Sequence, residues 1–448
     1  MLNYIWLALV VLAVAIGGWN NRLGEVTAGA FDGAKTAVTI ALGLIGIMAL
    51  WLGVMRLAER AGLIQKIARG LRPVMRRLFP DVPPEHPAMG SMLMNMAANM
   101  LGLGNAATPL GLRAMRDLER LNPRPGVASN AMCTFLAINT ASVQLIPATA
   151  IALLASAGSA RPTAIVGTAL LATLCAATVA ITSAKILEKL PFFRLPPVGA
   201  GVDDPGPEAA ATEPAGIADP DYSDNVIAVE PRGWKRILPF LLTLFFLGLF
   251  VRLVFPNWFG FPADSNAAIQ NAFVRSVNTL SILAIPFLLS FFPVYAATRG
   301  IKVYEEFVEG AKEGFGVILK IIPFLVTMLV AISMFKGAGG IDLLTRLLTP
   351  VLTPLQFLPD LLPLALMRPL SGSATLAILT DIIHRLGPDN IVSLMAATIY
   401  GSTETTFYVA AVYFGSVAVK QTRHAIPAGL LGDLAGVIAS VIICRAVF

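Results

Sequence analysis

Hydrophobic positions along this chain come in long, nearly unbroken runs, with polar residues gathered in short stretches between them. A helix that crosses the hydrocarbon core of a bilayer needs about 20 apolar residues. Nine segments meet that template: about 3–19, 36–55, 127–156, 162–184, 236–254, 277–297, 314–335, 391–417 and 425–447. Two further apolar stretches, 88–112 and 361–386, are interrupted by Gly, Asn, Ser and Pro in GLGNAATPLG and MRPLSGSAT. Each predicts two helices meeting at a broken tip, a re-entrant hairpin, because such backbone is tolerated at membrane depth only where it is buried in protein or lines a wet cavity. Residues 56–77 read differently. Leu57, Ile64, Ile67, Leu71, Met75 and Leu78 recur at helical spacing among Arg56, Arg60, Lys66, Arg69, Arg72, Arg76 and Arg77, which predicts an amphipathic interfacial helix. The expected fold class is an all-α integral membrane protein of about nine transmembrane helices and two re-entrant helical hairpins.

Of the 448 residues 56% are hydrophobic and only 13% charged, against about one-quarter charged in soluble globular chains; the water-soluble classes are excluded. The net charge of +6 is unevenly spread. Residues 196–230 hold eight acids, from Asp203 to Glu230, and no base, in a context rich in Pro, Ala and Gly. That composition predicts a disordered cytoplasmic tether, 196–232, between a first half, 1–195, and a second, 233–448. Elsewhere the bases flank apolar runs, where the positive-inside rule accounts for them without a nucleic-acid partner. With 56–77 as a cytoplasmic anchor, the clusters Arg113/Arg116/Arg120/Arg124, Lys185/Lys189/Arg194, Arg299/Lys302/Lys312 and Lys420/Arg423 all fall on one side under the nine-span count. The expected location is a bacterial inner membrane, crossed many times, with the N-terminus in the cytoplasm. The segment at Met1 lacks a basic n-region and reads as a retained span.

Cys133, Cys175 and Cys444 show no CxxC spacing and His86, His384 and His424 are scattered, so neither a disulfide scaffold nor a His/Cys metal site is expected. The patterns GxxxxGK[ST], HExxH and GxSxG are absent, and GLGNAATPLG follows no βαβ pattern. The sequence predicts no enzymatic activity, no cofactor and no ATP coupling within the chain.

The two halves resemble each other. Phe31-Asp-Gly-Ala-Lys35 before one long span echoes Phe307-Val-Glu-Gly-Ala-Lys312 before another; Ala106-Ala107-Thr108 matches Ser373-Ala374-Thr375, and Asn139-Thr140-Ala141-Ser142 matches Ser402-Thr403-Glu404-Thr405. The repeat starts at span two in one half and span seven in the other, so the copies cross the membrane in opposite directions. Inverted repeats with discontinuous helices are the architecture of many secondary transporters, whose broken helix ends meet a solute or ion near the midplane.

Polar residues repeat at those matched places. The first copy holds Asn95, Asn99, Asn105, Thr108, Asn139, Thr140, Ser142 and Gln144; the second holds Arg368, Ser371, Ser373, Thr375, Ser402, Thr403, Glu404, Thr405, Thr406 and Tyr408. Amides and hydroxyls both donate and accept, which suits a neutral or weakly charged hydrogen-bonding solute; interhelical packing is the plainer use of the same residues. Lys320, Glu404 and Asp433 are ionisable groups within apolar runs, with Arg368 and the Asp381/His384/Arg385 group nearer hairpin ends. Glu404 is a candidate for binding H⁺ or Na⁺, against a structural pair with Lys320 or Arg368; Asp433 is a second coupling-ion candidate that leans toward a structural role.

Longer motifs add a resemblance. Residues 1–190, with LGLIGIMALWLGVMRLAERAGL (42–63), FPDVPPEHPAMGSMLMNMAANMLGLGNAATPLGLRAM (79–115) and NAMCTFLAINTASVQLIPAT (130–149), resemble spore maturation protein A. Residues 300–448, with VYEEFVEGAKEGF (303–315), LALMRPLSGSATLAIL (364–379) and YGSTETTFYVAAVYFGSVAVKQTRHAIPAGLLGDLAG (400–436), resemble spore maturation protein B. The chain is thus similar to a fusion of the two, each half with a nucleoside recognition, or Gate, domain. The resemblance implies relatives in the Gate repeats of ferrous iron transport protein B and, more remotely, in concentrative nucleoside transporters. Iron-type Gate motifs use Cys where this sequence has Asn105 and Gly372–Ser373, which argues against soft-metal transport. The implied function is a secondary transporter or facilitator for a small polar, nucleoside-like solute held between the repeats; the alternative is a non-transporting scaffold or regulator in spore or envelope maturation. The partners expected are the bilayer, the solute and H⁺ or Na⁺, and apolar outer faces allow a homo-oligomer.

Overall fold

A computed structural model describes residues 2–102, 104–193, 235, 237–256, 271–340, 343 and 358–448. The tether predicted at 196–232 lies outside the described residues. The first half contains α1 (Leu2–Trp19), α2 (Leu23–Arg60), α3 (Leu63–Leu78), α4 (Pro87–Met100), α5 (Gly104–Glu119), α6 (Asn130–Ala141), α7 (Ala148–Ser156) and α8 (Ile165–Leu187). The second contains α9 (Ile237–Val254), α10 (Ala272–Thr298), α11 (Val303–Gly337), α12 (Leu362–Met367), α13 (Gly372–Leu386), α14 (Ile391–Ser402), α15 (Thr406–Gly415) and α16 (Ala425–Val447). Among the described residues the architecture is all-helical, and five helices, α2, α8, α9, α10 and α16, are long and apolar enough to cross a membrane.

Two of the nine predicted spans are not continuous. The stretch 127–156 is α6 and α7 with a break at 142–147, and 391–417 is α14 and α15 with a break at 403–405. In the first break Pro147 supplies no N–H and disfavours helical backbone before it, and Ser142 turns left-handed at φ 35°. In the second, the run Ser402-Thr403-Glu404-Thr405 offers hydroxyls that compete for the backbone, and Thr403 is extended at φ −144°, ψ 170°. Upstream, the span read as 36–55 begins earlier: residues 23–35 are helical too and extend α2 to 38 residues. The predicted interfacial helix is shorter than 56–77. Helix α2 runs on to Arg60, Gly62 reverses the chain at φ 71°, and α3 carries the amphipathic pattern with Leu63, Ile64, Ala68 and Met75 buried.

Helices α2 and α11 form the longest seam, and its contacts are reciprocal. A Cβ on Gly33 would lie 2.7 Å from the Leu329 carbonyl oxygen, and one on Gly310 would lie 2.7 Å from that of Leu52. Residue numbers rise along one helix as they fall along the other, so the pair is antiparallel, and an offset of about 277 carries either contact into its counterpart. Arg56 closes one end of the seam with Glu306 at 2.9 Å and Glu313 at 2.7 Å. A second antiparallel pair joins α8 to α16. These helices have 23 residues each, begin and end 260 positions apart, and meet at Ala176 and Gly436, which correspond at that offset. The halves are therefore related by an approximate two-fold axis running between these pairs. Local signals repeat as well: Ser129 caps α6 and Asn390 caps α14 through their side-chain oxygens.

Candidate functional site

The two hairpins and the two breaks converge. Helices α4 and α5 pack as a hairpin whose tip turns at Gly102 (φ 74°), and α12 and α13 meet at Arg368–Ser371. In each half the tip accepts a backbone bond from the interrupted helix: Leu145 N–H, within the first break, to Met100 O and Phe407 N–H, just beyond the second, to Pro369 O, both 3.0 Å. The breaks also bond to each other, with Glu404 N–H donating to Thr140 O at 2.7 Å. Backbone groups freed by the interruptions are thus paired, two within their own half and one between the halves.

Two side-chain clusters stand at this crossing. In the first, Asn99 Nδ2 donates to Asn139 Oδ1 at 2.9 Å, Tyr413 Oη donates to the same oxygen at 3.3 Å, and Asn95 Nδ2 donates to Ala107 O at 2.7 Å and reaches Tyr413 Oη at 3.2 Å. In the second, the Glu404 carboxylate accepts from Gln144 Nε2 at 3.1 Å and faces Arg368 Nη2 at 3.7 Å. Arg368 is buried, reaches Thr405 Oγ1 at 3.4 Å and stacks its guanidinium 4.9 Å from the Tyr400 ring centre. The Glu404 side chain stays 40% exposed. Next to these, Thr406 Oγ1 donates to Asp433 Oδ2 at 2.6 Å. Among the described residues, Asn95 Oδ1, Arg368 Nε, Thr403 Oγ1 and Asp433 Oδ1 are buried with no partner. The crossing therefore offers both donors and acceptors that the fold itself does not use.

Other predicted residues serve local ends. Thr140 and Ser402 hydroxyls bond back to Ala137 O and Ile399 O, and Thr375 bonds to Ser371 O. Ser371 caps α13 at Ala374 N–H and lies 3.2 Å from the Ser373 hydroxyl. Ser142 stands 3.4 Å from Gln144 Nε2. Thr108 is half-buried on α5; Asn105 opens that helix, and its side chain and that of Lys320 lie outside the described residues. Tyr408 is 59% exposed and turns away. Arg385 pairs with Asp360 at 2.6 Å and Asp381 at 3.7 Å, apart from the crossing.

A family model described as Gate, nucleoside recognition, matches residues 41–157 and 318–420, two stretches that contain both hairpins and both breaks. Spore maturation protein A of Bacillus subtilis (strain 168) is 45% identical over 194 residues, 43% of this chain and 97% of that protein. Spore maturation protein B of the same organism is 43% identical over 172 residues, 38% of this chain and 97% of that protein. The chain belongs to the Gate family. Its similarity to the two spore maturation proteins falls on different halves.

Knowledge of the Gate stretches does not by itself point to every residue at the crossing. Tyr413 and Tyr400 were not among the sequence candidates, although a tyrosine in an apolar helix needs a partner for its hydroxyl; Tyr408 shares that signal and faces outward. Thr173 on α8 was also missed. It donates to Ala141 O at 2.9 Å and Ser142 O at 3.1 Å, closing the end of α6 from outside the matched stretch.

Proposed function

We propose that this Gate-family membrane protein is a secondary transporter or facilitator for a small polar, nucleoside-like solute bound where the two broken helices cross. The reading is carried by the direct bond between the breaks, Glu404 N–H to Thr140 O, amid buried polar atoms that lack partners among the described residues. In many secondary transporters, discontinuous helices at a repeat interface hold the solute at the midplane. In this reading α1, α2, α6–α7, α8, α9, α10, α11, α14–α15 and α16 are the nine membrane crossings, α4–α5 and α12–α13 are re-entrant hairpins, and the repeats are inverted in a bacterial inner membrane with a cytoplasmic N-terminus. The A-like half is 1–195 and the B-like half 233–448, joined through 196–232. Asn99, Asn139 and Gln144 would contact the solute from one side and Arg368, Glu404 and Thr405 from the other. The family description, nucleoside recognition, supports the solute class.

One observation favours the rival, a non-transporting scaffold: Thr140, Thr375 and Ser402 each bond to a carbonyl of their own helix, as packing residues do. Uptake of labelled nucleosides into proteoliposomes separates the two. The transporter reading expects saturable uptake that falls at least tenfold in Asn139→Leu and is altered in Glu404→Gln. Absence of uptake and of any ligand-induced thermal shift across nucleosides, bases and amino acids rejects it.

A further inference from the structure

Asp433 is a buried carboxyl beside the crossing. It sits on α16, 3% exposed, outside both stretches matched by the Gate model. One carboxyl oxygen accepts from Thr406; the other has no hydrogen-bond partner among the described residues, and neither does the buried Thr403 hydroxyl, whose methyl packs against Gly436 one turn along α16. The charged groups that act on it are Arg368 from the hairpin tip and Glu404 from the break. Those two face each other at 3.7 Å, so their charges largely offset. Ala176 and Ala180 of α8 pack against the neighbouring Gly432 and Gly436, and Thr140 of α6 against Gly429, one turn away. Among the described residues no base touches the carboxyl.

An ionised carboxylate in such a place costs several kcal/mol unless it is paired, and the common escape is to take up a proton. A protonated Oδ1 and the Thr403 hydroxyl would complete each other with one hydrogen bond, and the neutral acid carries no net charge into the bundle. A metal cation fits less well. Hard cations gather about six oxygens, and this place is close-packed: a Cβ on Gly429 would come within 2.8 Å of the Thr406 methyl, and one on Gly436 within 2.6 Å of the Thr403 methyl. A proton needs no volume.

The repeat supplies a control. At the offset of 260 between α8 and α16, the counterpart of Asp433 is Thr173. There a hydroxyl suffices to finish the helix end, with two carbonyl bonds. A carboxyl is thus more than the second half needs for closure. We propose that Asp433 is a proton-binding site and that it, in place of Glu404, is the coupling group; the coupling role rests on the transporter reading above, whereas the protonation does not.

The test is pH-difference infrared spectroscopy of the full chain in lipid vesicles, which requires no substrate. A carbonyl band of a water-shielded carboxylic acid should persist at neutral pH, remain in Glu404→Gln and disappear in Asp433→Asn. It should shift in Thr403→Val and in Thr406→Val, which keep the acid and remove its partners. A band that survives in Asp433→Asn, vanishes in Glu404→Gln, or is driven off by sodium chloride at constant pH overturns the assignment. Should Asp433→Asn fail to fold, an unmoved band in both valine variants rejects it equally. Failure of the transporter reading would look different: no uptake of any labelled nucleoside, with the band still present.

Discussion

The two broken helices answer the same geometric problem with different chemistry. The first break is six residues long and neutral; Ser142 and Gln144 line it, and Thr173 from α8 bonds its loose carbonyls. The second is three residues long and charged; Glu404 faces Arg368, and the place of Thr173 is taken by a half-satisfied carboxyl, Asp433. A similar contrast appears at the entrance to each final helix, where Ala164 precedes α8 and His424 precedes α16. Closure of the fold accounts for Thr173 in the first set. The second carries surplus ionisable groups, so titration should concentrate in the second half.

Exchange of the equivalent residues tests that contrast most severely. Thr173→Asp sets a carboxyl against two carbonyl oxygens with no donor between them, and a loss of about 3 kcal/mol or more is expected; Asp433→Thr keeps a hydroxyl-sized partner for Thr406 and should stay within about 1 kcal/mol. Thermal melts in detergent compare the two, and equal melting temperatures would break the equivalence.

Acid should act through the second half. Burial, then the charges of Arg423 and Lys185, push the His424 imidazole down from 6.5 to about 4, and neither ring nitrogen has a partner among the described residues. The unfolded chain binds this proton between those two values and the folded chain does not. Stability is therefore full above about pH 6.5 and declines by about 3 kcal/mol as the pH falls to about 4. His424→Ala, which copies Ala164, should flatten this part of the melting-temperature profile; an unchanged slope would place the titration elsewhere.

Smaller effects separate the bridge between the breaks from its charge. Gln144→Leu removes a donor to Glu404 and should cost about 1–2 kcal/mol, whereas Glu404→Gln preserves an acceptor for Gln144 and should cost less than about 1 kcal/mol. If Glu404→Gln proves the more destabilising, the ion pair with Arg368 outweighs the amide bridge.

Much of this was legible in the chain itself because breaks in hydrophobic runs are conspicuous. GLGNAATPLG and MRPLSGSAT announced the hairpin tips, and the matched polar sets announced which segments meet. The breaks at 142–147 and 403–405 escaped notice because the runs around them are apolar over more than 20 residues, and a window of that width averages across a three-residue interruption. The helix ends also place the repeat two residues away from the motif match: Ala141 and Ser402 are the last helical residues of α6 and α14, so Ser142 corresponds to Thr403. Residues 23–35 lay outside the apolar window 36–55, yet Gly33 admits the Leu329 backbone, a purpose visible only once α11 lies against it. Thr173 and Asp433 gained their meaning from the 260-residue register, which apolar α8 and α16 conceal in their composition.

The seam between α2 and α11 bears on how the molecule is made. Its partners belong to different halves, so the longest contact among the described residues is one that peptide connectivity through 196–232 does not itself create. A covalent link of that kind raises the concentration of one half around the other. Neither half alone could cover the glycine-bearing face of its long helix or the facing surface of α8 or α16. What the fusion secures is stoichiometry: one copy of each half from every translated chain, with no surplus of unmated surface left in the membrane.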